Sequence, residues 1–270
     1  MFKVCIDAGH FGRYNRSPAN SLYFESIQMW ALSRYLGNAL KRWGIEVVYT
    51  RSNMNADLGL ITRGQKAKGC DLFISLHSNA VANGVNESVD YPVAIVNRDN
   101  DRTFLDERSK DIGLQLAKIV ANVMETKQAA RTSTKASGND RDGNGLKDDE
   151  YYGVLQGCKT VSVPGVILEH SFHTNTRSTN WLMSDANLEK LAEAEASCIA
   201  KWLDKNSAAA ESFKVRVSIT NLNIRKGPST KYARVRYIHP GVYTIVEEKN
   251  GWGRLKSGAG WICLDYTKRA

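Results

Sequence analysis

Four side chains of the types that bind metals or transfer protons are spread over the first two thirds of the chain: His10, Glu25, His77 and Glu169. Two imidazoles and one carboxylate form the ligand set that a catalytic zinc ion prefers, with a fourth position left for water. Such an ion lowers the pKa of its water to about 7 and polarises a carbonyl oxygen. The second carboxylate could take the proton of that water and pass it to a leaving amine. The set is therefore suited to the hydrolysis of an amide.

Three of these residues follow short apolar runs that we predict to be buried strands, and Glu25 belongs to the first turn of a predicted helix. The runs and their exits are residues 4–8 with His10, 71–76 with His77, and 166–168 with Glu169. The carboxyl ends of parallel strands open into one crevice, so we expect the four side chains to meet there. Polar residues also follow strands in proteins without a metal, and position alone leaves that alternative open.

The segments between these runs alternate between helical and β-rich patterns. Apolar residues recur at helical spacing in four segments, and two more β-rich runs lie between them. The predicted helices cover residues 25–43, 58–68, 105–123 and 187–203, and the additional strands cover residues 45–49 and 91–96. The sequence therefore predicts an α/β fold with a mainly parallel sheet flanked by helices on both faces.

Several stretches around these residues together fit the pattern of one known family. They are Ile6-Asp7-Ala8-Gly9-His10, then Glu25, then Ser75-Leu76-His77-Ser78-Asn79-Ala80, then Pro164-Gly165-Val166-Ile167-Leu168-Glu169 with Phe172 and Asn175. Thr50-Arg51, and Leu60 with Arg63, also fit. Residues 2–203 thus resemble the zinc-dependent N-acetylmuramoyl-L-alanine amidases of the type 3 family.

This resemblance implies a role for each matching residue. His10, Glu25 and His77 match the family's ligands for one zinc ion, and Glu169 matches its catalytic glutamate. The family cleaves the amide between the lactyl group of muramic acid and the L-alanine that begins the stem peptide. The resemblance therefore implies bacterial peptidoglycan as the substrate.

Three further residues near this set are candidates for substrate contact. Asn79 matches a family position, with a turn-forming role as the equal alternative. His170 and His173 depart from the family's pattern, because small or apolar residues are more often found beside the catalytic glutamate. We expect these two imidazoles to contact substrate or tune Glu169, or else to be exposed or hydrogen-bonded structural residues.

A long polar insertion, residues 127–150, precedes the last strand of this region. Its stretch Asp140-Arg141-Asp142-Gly143-Asn144-Gly145 resembles the start of a calcium loop, but Tyr151 stands at the twelfth position, where an EF-hand needs a bidentate Glu. A solvated hairpin or a mobile lid is the favoured interpretation. Such a loop can shape the groove that accepts a stem peptide.

The excess positive charge of the chain lies in its C-terminal part. The formal net charge is +9; residues 212–270 contain 12 Lys or Arg and 3 Asp or Glu, whereas residues 1–211 contain 25 of each. Charge confined to one module suits attraction to nucleic acid, acidic lipid or an anionic wall polymer, with solubility as the plain alternative. Polar, Ala-rich residues 204–212 are typical of a linker, so we predict a catalytic domain at residues 1–203 and a second domain at residues 213–270.

The second domain is predicted to be a small all-β barrel, because short β-rich runs alternate with turn residues. Leu222-Asn223-Ile224-Arg225-Lys226-Gly227-Pro228-Ser229, Gly251-Trp252-Gly253 and Gly260-Trp261-Ile262 resemble the bacterial SH3 (SH3b) domain attached to many wall hydrolases. The resemblance implies cell-wall binding. Trp252 and Trp261 are candidate wall contacts or, alternatively, core residues.

Other functions are open at this point. A zinc peptidase that cuts within the stem peptide would use the same metal chemistry. A wall-binding protein with an inert first domain is disfavoured by the complete ligand set with Glu169. A nucleic-acid binder would explain the basic module, but the predicted barrel has no evident Lys/Arg-rich helix or RNA-binding signature, so we expect no nucleic-acid partner.

The cysteines and the N-terminus bear on the compartment. Five Cys residues lie far apart, mostly in apolar runs and without a C-x-x-C pair, which indicates reduced thiols and synthesis in a cytoplasm. No export signal is evident, and no run reaches the ~18 consecutive apolar residues of a membrane span. These features favour a phage or prophage endolysin that reaches the wall once the membrane is breached, with a bacterial autolysin released by lysis as the alternative.

Overall fold

A computed structural model describes residues 1–97, 103–140, 147, 149–208, 212–249 and 251–270. The chain divides into two compact units. The first ends at Trp202, and the second contains the residues from Leu203 to Ala270.

The first unit is built on a six-stranded sheet with the strand order β2-β1-β3-β6-β4-β5. Neighbouring strands are parallel, apart from β4, which runs antiparallel to β6. The strands are β1 (Lys3–Ala8), β2 (Glu46–Tyr49), β3 (Leu72–Asn79), β4 (Val93–Val96), β5 (Arg131–Ser133) and β6 (Gly165–Phe172). The predicted, largely parallel α/β sheet is confirmed.

Six helices accompany this sheet: α1 (Glu25–Arg42), α2 (Leu60–Gln65), α3 (Thr103–Met124), α4 (Gly153–Thr160), α5 (Thr176–Leu182) and α6 (Asp185–Ala208). The four predicted helices correspond to α1, α2, α3 and α6. The sequence missed α4 and α5, because seven or eight residues form only about two turns and give a weak periodic signal.

Side chains alternate between the two faces along each strand, so the sheet has apolar side chains on both faces. Helices cover both of these faces. On one face, Cys5, Phe73 and Ile167 form a core cluster with Leu155 and Cys158 of α4. On the other face, α3 places Gly113 against Ala94, Val96 and Val166. The sheet is therefore the middle layer of a three-layer unit.

Helices α2 and α4 approach each other at two glycines. A Cβ atom on Gly64 would collide with the backbone of Val154 and Gly157, and one on Gly157 would collide with the carbonyl of Ile61. The absence of side chains at this crossing allows backbone contact between the helices. Arg63, next to Gly64 in α2, is buried, with 4% of its surface exposed.

Helix α6 is longer than predicted and occupies part of the predicted linker. It continues to Ala208, five residues beyond the predicted end at Leu203. The apolar periodicity stops at Leu203, but Asp204, Lys205 and Asn206 are exposed or half-exposed and continue the helix. The hydrophobic pattern reports where burial stops, and a helix can extend past that point.

The second unit contains a seven-stranded antiparallel sheet with the order β13-β7-β10-β11-β12-β8-β9. Its core consists of alternating apolar residues such as Val215, Ile224, Ile245 and Ile262. The strands are β7 (Phe213–Val217), β8 (Leu222–Arg225), β9 (Arg234–Ile238), β10 (Gly241–Lys249), β11 (Trp252–Leu255), β12 (Trp261–Cys263) and β13 (Thr267–Arg269). The predicted all-β character of this part of the chain is confirmed, and β13 was not predicted. Within the described part of the chain, no helix has the length and apolar character needed to cross a membrane.

Candidate active site

The structure brings His10, Glu25 and His77 together at one end of the first unit's sheet. Each side chain offers one ligand atom, and these atoms lie within 4.8 Å of one another. His10 follows β1, Glu25 is the first residue of α1, and His77 lies in β3. Residues separated by 67 positions in the sequence are therefore neighbours because β1 and β3 are adjacent parallel strands.

Glu25 is the most enclosed member of this set, with 1% of its surface exposed. Its Oε1 accepts a hydrogen bond from the backbone N–H of Ser78 (3.1 Å) and lies 2.8 Å from Nδ1 of His77. Its Oε2 accepts from Nδ2 of Asn15 (2.7 Å) and lies 3.3 Å from Nε2 of His10. Burial alone would raise the pKa of Glu25, but hydrogen bonds to the two imidazoles hold that pKa well below its ordinary value.

His10 lies in a strained stretch of backbone. Its φ is 55°, in the left-handed region that is uncommon for residues with a Cβ, and the φ of Asn15 is 53°. The His10 ring stacks on Tyr14 with 5.0 Å between centroids, and Nε2 lies 3.0 Å from Nδ2 of Asn15. Left-handed backbone of this kind persists where surrounding contacts hold it, and it is concentrated at functional sites.

His77 is oriented by a buried chain of hydrogen bonds that starts at Asp7. Nε2 of His77 lies 3.1 Å from Oγ of Ser75, and Ser75 donates to Oδ2 of Asp7 (2.7 Å). Oδ1 of Asp7 accepts from Thr50 (2.5 Å) and from Nε of Arg63 (2.8 Å). With Nε2 occupied by Ser75, Nδ1 of His77 is the nitrogen that faces Glu25.

Glu169 lies beside His77 on the neighbouring strand. The two residues are register partners in the parallel pair of β3 and β6, so their side chains emerge side by side. Oε2 of Glu169 is buried and has no hydrogen-bond partner among the described residues. Burial, together with the negative charge of Glu25, raises the pKa of Glu169 well above its ordinary value. Glu169 is thus poised to hold a proton.

These donors fit a zinc ion. Two ligand atoms about 2.1 Å from one ion at a tetrahedral angle lie ~3.4 Å apart. The three ligand atoms, one from each side chain, lie within 4.8 Å of one another; Oε2 of Glu25 is 3.3 Å from Nε2 of His10, and Oε1 is 2.8 Å from Nδ1 of His77. The pair of imidazoles and one carboxylate is also the donor chemistry that zinc prefers. Glu169, the register partner of His77, places a carboxylate with a buried oxygen that has no partner among the described residues beside this group.

A family model described as N-acetylmuramoyl-L-alanine amidase matches residues 4–201. The chain belongs to the N-acetylmuramoyl-L-alanine amidase family.

Two curated relatives of this amidase come from Bacillus. The uncharacterized protein YqiI of Bacillus subtilis is 27% identical over 204 residues, which cover 75% of this chain and 85% of YqiI. N-acetylmuramoyl-L-alanine amidase CwlM of Bacillus licheniformis is 24% identical over 222 residues, covering 81% of this chain and 75% of CwlM.

Solved amidase structures share the fold of the first unit. The catalytic domain of CwlV from Bacillus (Paenibacillus) polymyxa var. colistinus has a TM-score of 0.58 and 21% identity, and the similarity covers 76% of this chain and 99% of CwlV's. An amidase from Clostridium difficile 630 has a TM-score of 0.59 and 19% identity, covering 75% of this chain and 97% of its own. At these identities the likeness establishes the architecture.

The two additional histidines of the amidase lie in the interior. His170 is fully buried; its Nδ1 donates to the carbonyl of His77 (2.9 Å), and its Nε2 lies 2.8 Å from Oε1 of Glu195 in α6. These contacts favour the hydrogen-bonded, structural alternative for His170, and its contact with substrate stays a prediction. His173 is 5% exposed and donates from Nδ1 to the carbonyl of Ser78 (2.8 Å), so it supports the backbone beside Glu25.

Strand β6 of the amidase contains a bulge just after Glu169 and His170. From His77 to Asn79 in β3, the partner strand advances from Glu169 to Phe172, one residue more. Ser171, inside this bulge, has a φ of 59°. The extra residue turns the end of β6, a device that is common beside active sites.

Asn79 forms a local hydrogen bond in the described structure. Oδ1 of Asn79 accepts from the backbone N–H of Ala80 (2.8 Å), as expected for a turn-forming residue, and its substrate contact stays a prediction.

The long insertion, residues 127–150, contributes the edge strand β5 and a bridge between Ala136 and Glu150. The calcium-like stretch after Asp140 lies outside the described residues.

Trp252 and Trp261 in the second unit are 9% and 5% exposed, respectively. This burial favours their alternative role as core residues.

Sequence reasoning missed several side chains of the amidase site. Asn15 donates to Glu25 (2.7 Å), and the buried Tyr23 hydroxyl is hydrogen-bonded to Ser78 (2.7 Å). Tyr152 lies near Glu169: burial, and then the charge of Glu169, raise the pKa of its hydroxyl. One signal was available for Ser75, which stands two residues before His77 and so shares its face of the strand.

Proposed function

We propose that this amidase is a zinc enzyme, with His10, Glu25 and His77 as the ligands of one ion. The observation that carries the proposal is the convergence of three ligand atoms within 4.8 Å, with Glu169 next to His77 in the strand register. A bound zinc ion supplies a Lewis acid that lowers the pKa of water and polarises a carbonyl.

Glu169 performs the proton transfers in this proposal. Its carboxylate takes a proton from the attacking water and then delivers it to the amine that leaves. Burial and the charge of Glu25 raise the pKa of Glu169, which makes its ionised carboxylate a stronger base toward the proton of the water. Ser75 and Asp7 keep the His77 ring in one orientation while this happens.

The substrate in this proposal is the bond between N-acetylmuramic acid and the L-alanine of the stem peptide. Digestion of purified peptidoglycan should release new L-alanine α-amino groups without new reducing sugar ends. A zinc peptidase acting within the stem peptide would instead expose α-amino groups of other residues, which product mass spectrometry distinguishes. New reducing ends would exclude both amide-bond hypotheses.

The metal requirement is tested separately. Purified protein should contain close to one zinc per chain, lose wall-clearing activity with a chelator and regain it when zinc is restored. A protein that clears walls at full rate without metal would refute the zinc proposal. Bound zinc without turnover would instead point to the inert wall-binding alternative.

We further propose that the second unit resembles an SH3b domain and attaches the enzyme to the cell wall. Its support is the sheet of seven short antiparallel strands and the concentration of positive charge in residues 212–270. The full chain should sediment with purified walls, less so at high salt because exposed charges are screened. A salt-sensitive gel shift with DNA, without sedimentation, would favour the nucleic-acid alternative.

A role as an endolysin or autolysin is also a proposal. The thiols of Cys5, Cys70, Cys158, Cys198 and Cys263 are all free, as expected for a protein made in a reducing compartment. In this view the enzyme reaches the wall after the membrane is breached. Its expression in a host should cause lysis only when the membrane is permeabilised; lysis without permeabilisation would contradict the idea.

A further inference from the structure

Two exposed aromatic side chains of the first unit lie beside the candidate metal ligands, and the proposed catalysis does not use them. Tyr14 is 52% exposed and Phe11 is 39% exposed. The Tyr14 ring stacks on the ring of His10, with 5.0 Å between centroids and 16° between planes. The Phe11 ring stacks on Tyr14 at 6.3 Å and 21°. Phe11 and Tyr14, which we call the aromatic pair, therefore continue the surface of the site outward from His10.

The backbone that carries the aromatic pair is bonded to the rest of the unit. Ser26, a fully buried residue of α1, donates from Oγ to the carbonyl of Gly12 (2.8 Å) and accepts from the backbone N–H of Tyr14 (2.8 Å). The N–H of Gly12 donates to the carbonyl of Met54 (2.9 Å). Rings on a backbone that is already fixed lose little conformational entropy when a ligand covers them, so the pair is suited to binding.

The proposed substrate has two halves with apolar groups that an aromatic surface can contact. The acyl half carries the muramoyl sugar, and the amine half is the stem peptide. A pyranose ring presents C–H groups on its faces and hydroxyl groups at its edge, so an aromatic ring covers a face while the hydroxyls stay hydrated. Chemistry alone allows either half at the aromatic pair, and the position of the pair in the fold decides between them.

The order of the strands places the aromatic pair and Glu169 on different sides of the site. His10 follows β1, His77 lies in β3 and Glu169 lies in β6, and the strands are neighbours in the order β1-β3-β6. Neighbouring strands are about 4.8 Å apart, so β1 and β6 lie about 10 Å apart on opposite sides of β3. The hydrogen bond from Gly12 to Met54 draws the loop after β1 further from β6, because Met54 follows β2, the strand on the far side of β1.

This arrangement orients the substrate. Glu169 delivers its proton to the leaving amine in the proposed function, on which this inference rests, so the stem peptide extends toward β6 and the acyl half extends toward β1. In muramic acid only one carbon and an ether oxygen separate the scissile carbonyl from the pyranose ring, so the sugar lies close to His10. We propose that the aromatic pair is the subsite for this sugar: Phe11 and Tyr14 pack on a face of the muramoyl pyranose and favour substrates that carry it.

Two soluble substrates with the same scissile bond test the subsite in the full chain. One is a disaccharide muropeptide, GlcNAc-MurNAc with its stem peptide, and the other is the lactoyl-peptide made from it by β-elimination of the sugar. The parent should cleave the muropeptide with a kcat/KM about tenfold higher than that for the lactoyl-peptide, because only the muropeptide reaches the aromatic pair. The measured quantity is this ratio of the two kcat/KM values.

Tyr14→Ala should lower the ratio by about threefold to tenfold, the effect of losing one aromatic contact. The loss should appear chiefly in the KM for the muropeptide, because the ring contacts the sugar both before and during the reaction. Any disturbance that Tyr14→Ala transmits to His10 affects both substrates and cancels in the ratio. Phe11→Ala, which leaves the stack of Tyr14 on His10 in place, should also lower the ratio, and Tyr14→Phe should restore it.

Trp43→Ala is the matched control. Trp43 is exposed to a similar extent, 48%, but it follows the C-terminal end of α1, about 27 Å along the helix from Glu25. This variant should keep the parent's ratio. The inference is overturned if the parent cleaves both substrates with the same kcat/KM, or if Tyr14→Ala and Phe11→Ala both keep the parent's ratio. An equal fall of the ratio in Trp43→Ala would overturn it as well.

Binding without turnover separates this inference from the proposed cleavage. In calorimetry, the Glu169→Gln chain should bind the muropeptide more tightly than the lactoyl-peptide, and adding Tyr14→Ala should remove most of that difference. A parent that cleaves neither substrate would refute the proposed cleavage, and the calorimetric comparison would still decide the subsite. A parent that cleaves both substrates equally, with equal binding of the two by Glu169→Gln, would refute the subsite and leave the proposed cleavage intact.

Discussion

Gly9 is the position at which one added methyl group should have the largest effect on the candidate active site. A Cβ atom there would lie 2.5 Å from Cε1 and 2.7 Å from both ring nitrogens of His77. Carbon atoms in ordinary contact are about 3.5 to 4.0 Å apart, so Gly9→Ala must displace the His77 ring or the end of β1 by ~1 Å. The strand partners on both sides limit how far the backbone can move.

A displacement of this size should weaken both metal binding and turnover. Loss of a group that orients a metal ligand typically lowers metal affinity by about 10- to 100-fold, and a shift of a catalytic group by ~1 Å lowers the rate by about 100-fold. Zinc affinity can be measured by competition with a chromophoric chelator, and kcat/KM can be measured on peptidoglycan. Gly9→Ala should reduce both while the metal-free protein still unfolds cooperatively.

Gly59→Ala is the matched control, because the added Cβ would have Thr62 Oγ1 as its nearest neighbour, at 3.9 Å. This variant should keep the zinc affinity and kcat/KM of the parent. If folded Gly9→Ala retains zinc affinity and kcat/KM within twofold of the parent, His77 is not held where the structure places it.

Three further perturbations test the charges around the site. Glu169→Gln should keep zinc bound and abolish turnover. It should also raise the melting temperature of the metal-free protein at neutral pH, because folding raises the pKa of this carboxyl and its ionised form opposes folding there. Retained turnover would remove Glu169 from its role. Asp7→Asn should lower the free energy of unfolding by about 3 to 5 kcal/mol in denaturant titrations, because the buried Arg63 loses its counter-charge. Glu46→Gln, which removes the half-exposed ion pair with Lys3, should have little effect. Equal effects of the two variants would contradict the buried network. Folding lowers the pKa of Glu25 below its ordinary 4.5, so its ionised form adds stability above about pH 4.5, and this stability is lost as the pH falls further. The stability of the metal-free Glu25→Gln variant should therefore depend less on pH in acid. An unchanged acid transition would exclude this source of stability.

The candidate site was predictable to the extent that its signals are local in sequence. His10 and His77 each follow an apolar run, and Glu25 begins an amphipathic helix, patterns that need only a few neighbouring residues. The structure places His77 and Glu169 inside β3 and β6, beyond the predicted strand ends. Apolar side chains stop there on one face, while hydrogen bonding between the backbones continues.

Other parts of the fold could not be predicted from such patterns. Helices α4 and α5 are too short for a clear period, and β5 is a three-residue strand within a polar insertion. For His170 the sequence left a substrate contact and a hydrogen-bonded structural role open; side chains alternate along a strand, and this one points to Glu195 of α6. Adjacency in sequence is a poor guide to which face a residue occupies.

The sequence by itself determined the types of residue in the candidate metal set, the α/β class of the first unit and the all-β, basic character of the second. These properties follow from composition and short-range periodicity. The tertiary structure alone decided that Asp7 and Ser75 orient His77, that Gly9 leaves room for its ring, and that β6 contains a bulge with Ser171 at a positive φ. Each of these depends on contacts between residues distant in the chain or on one backbone angle, and neither leaves a periodic trace in the sequence.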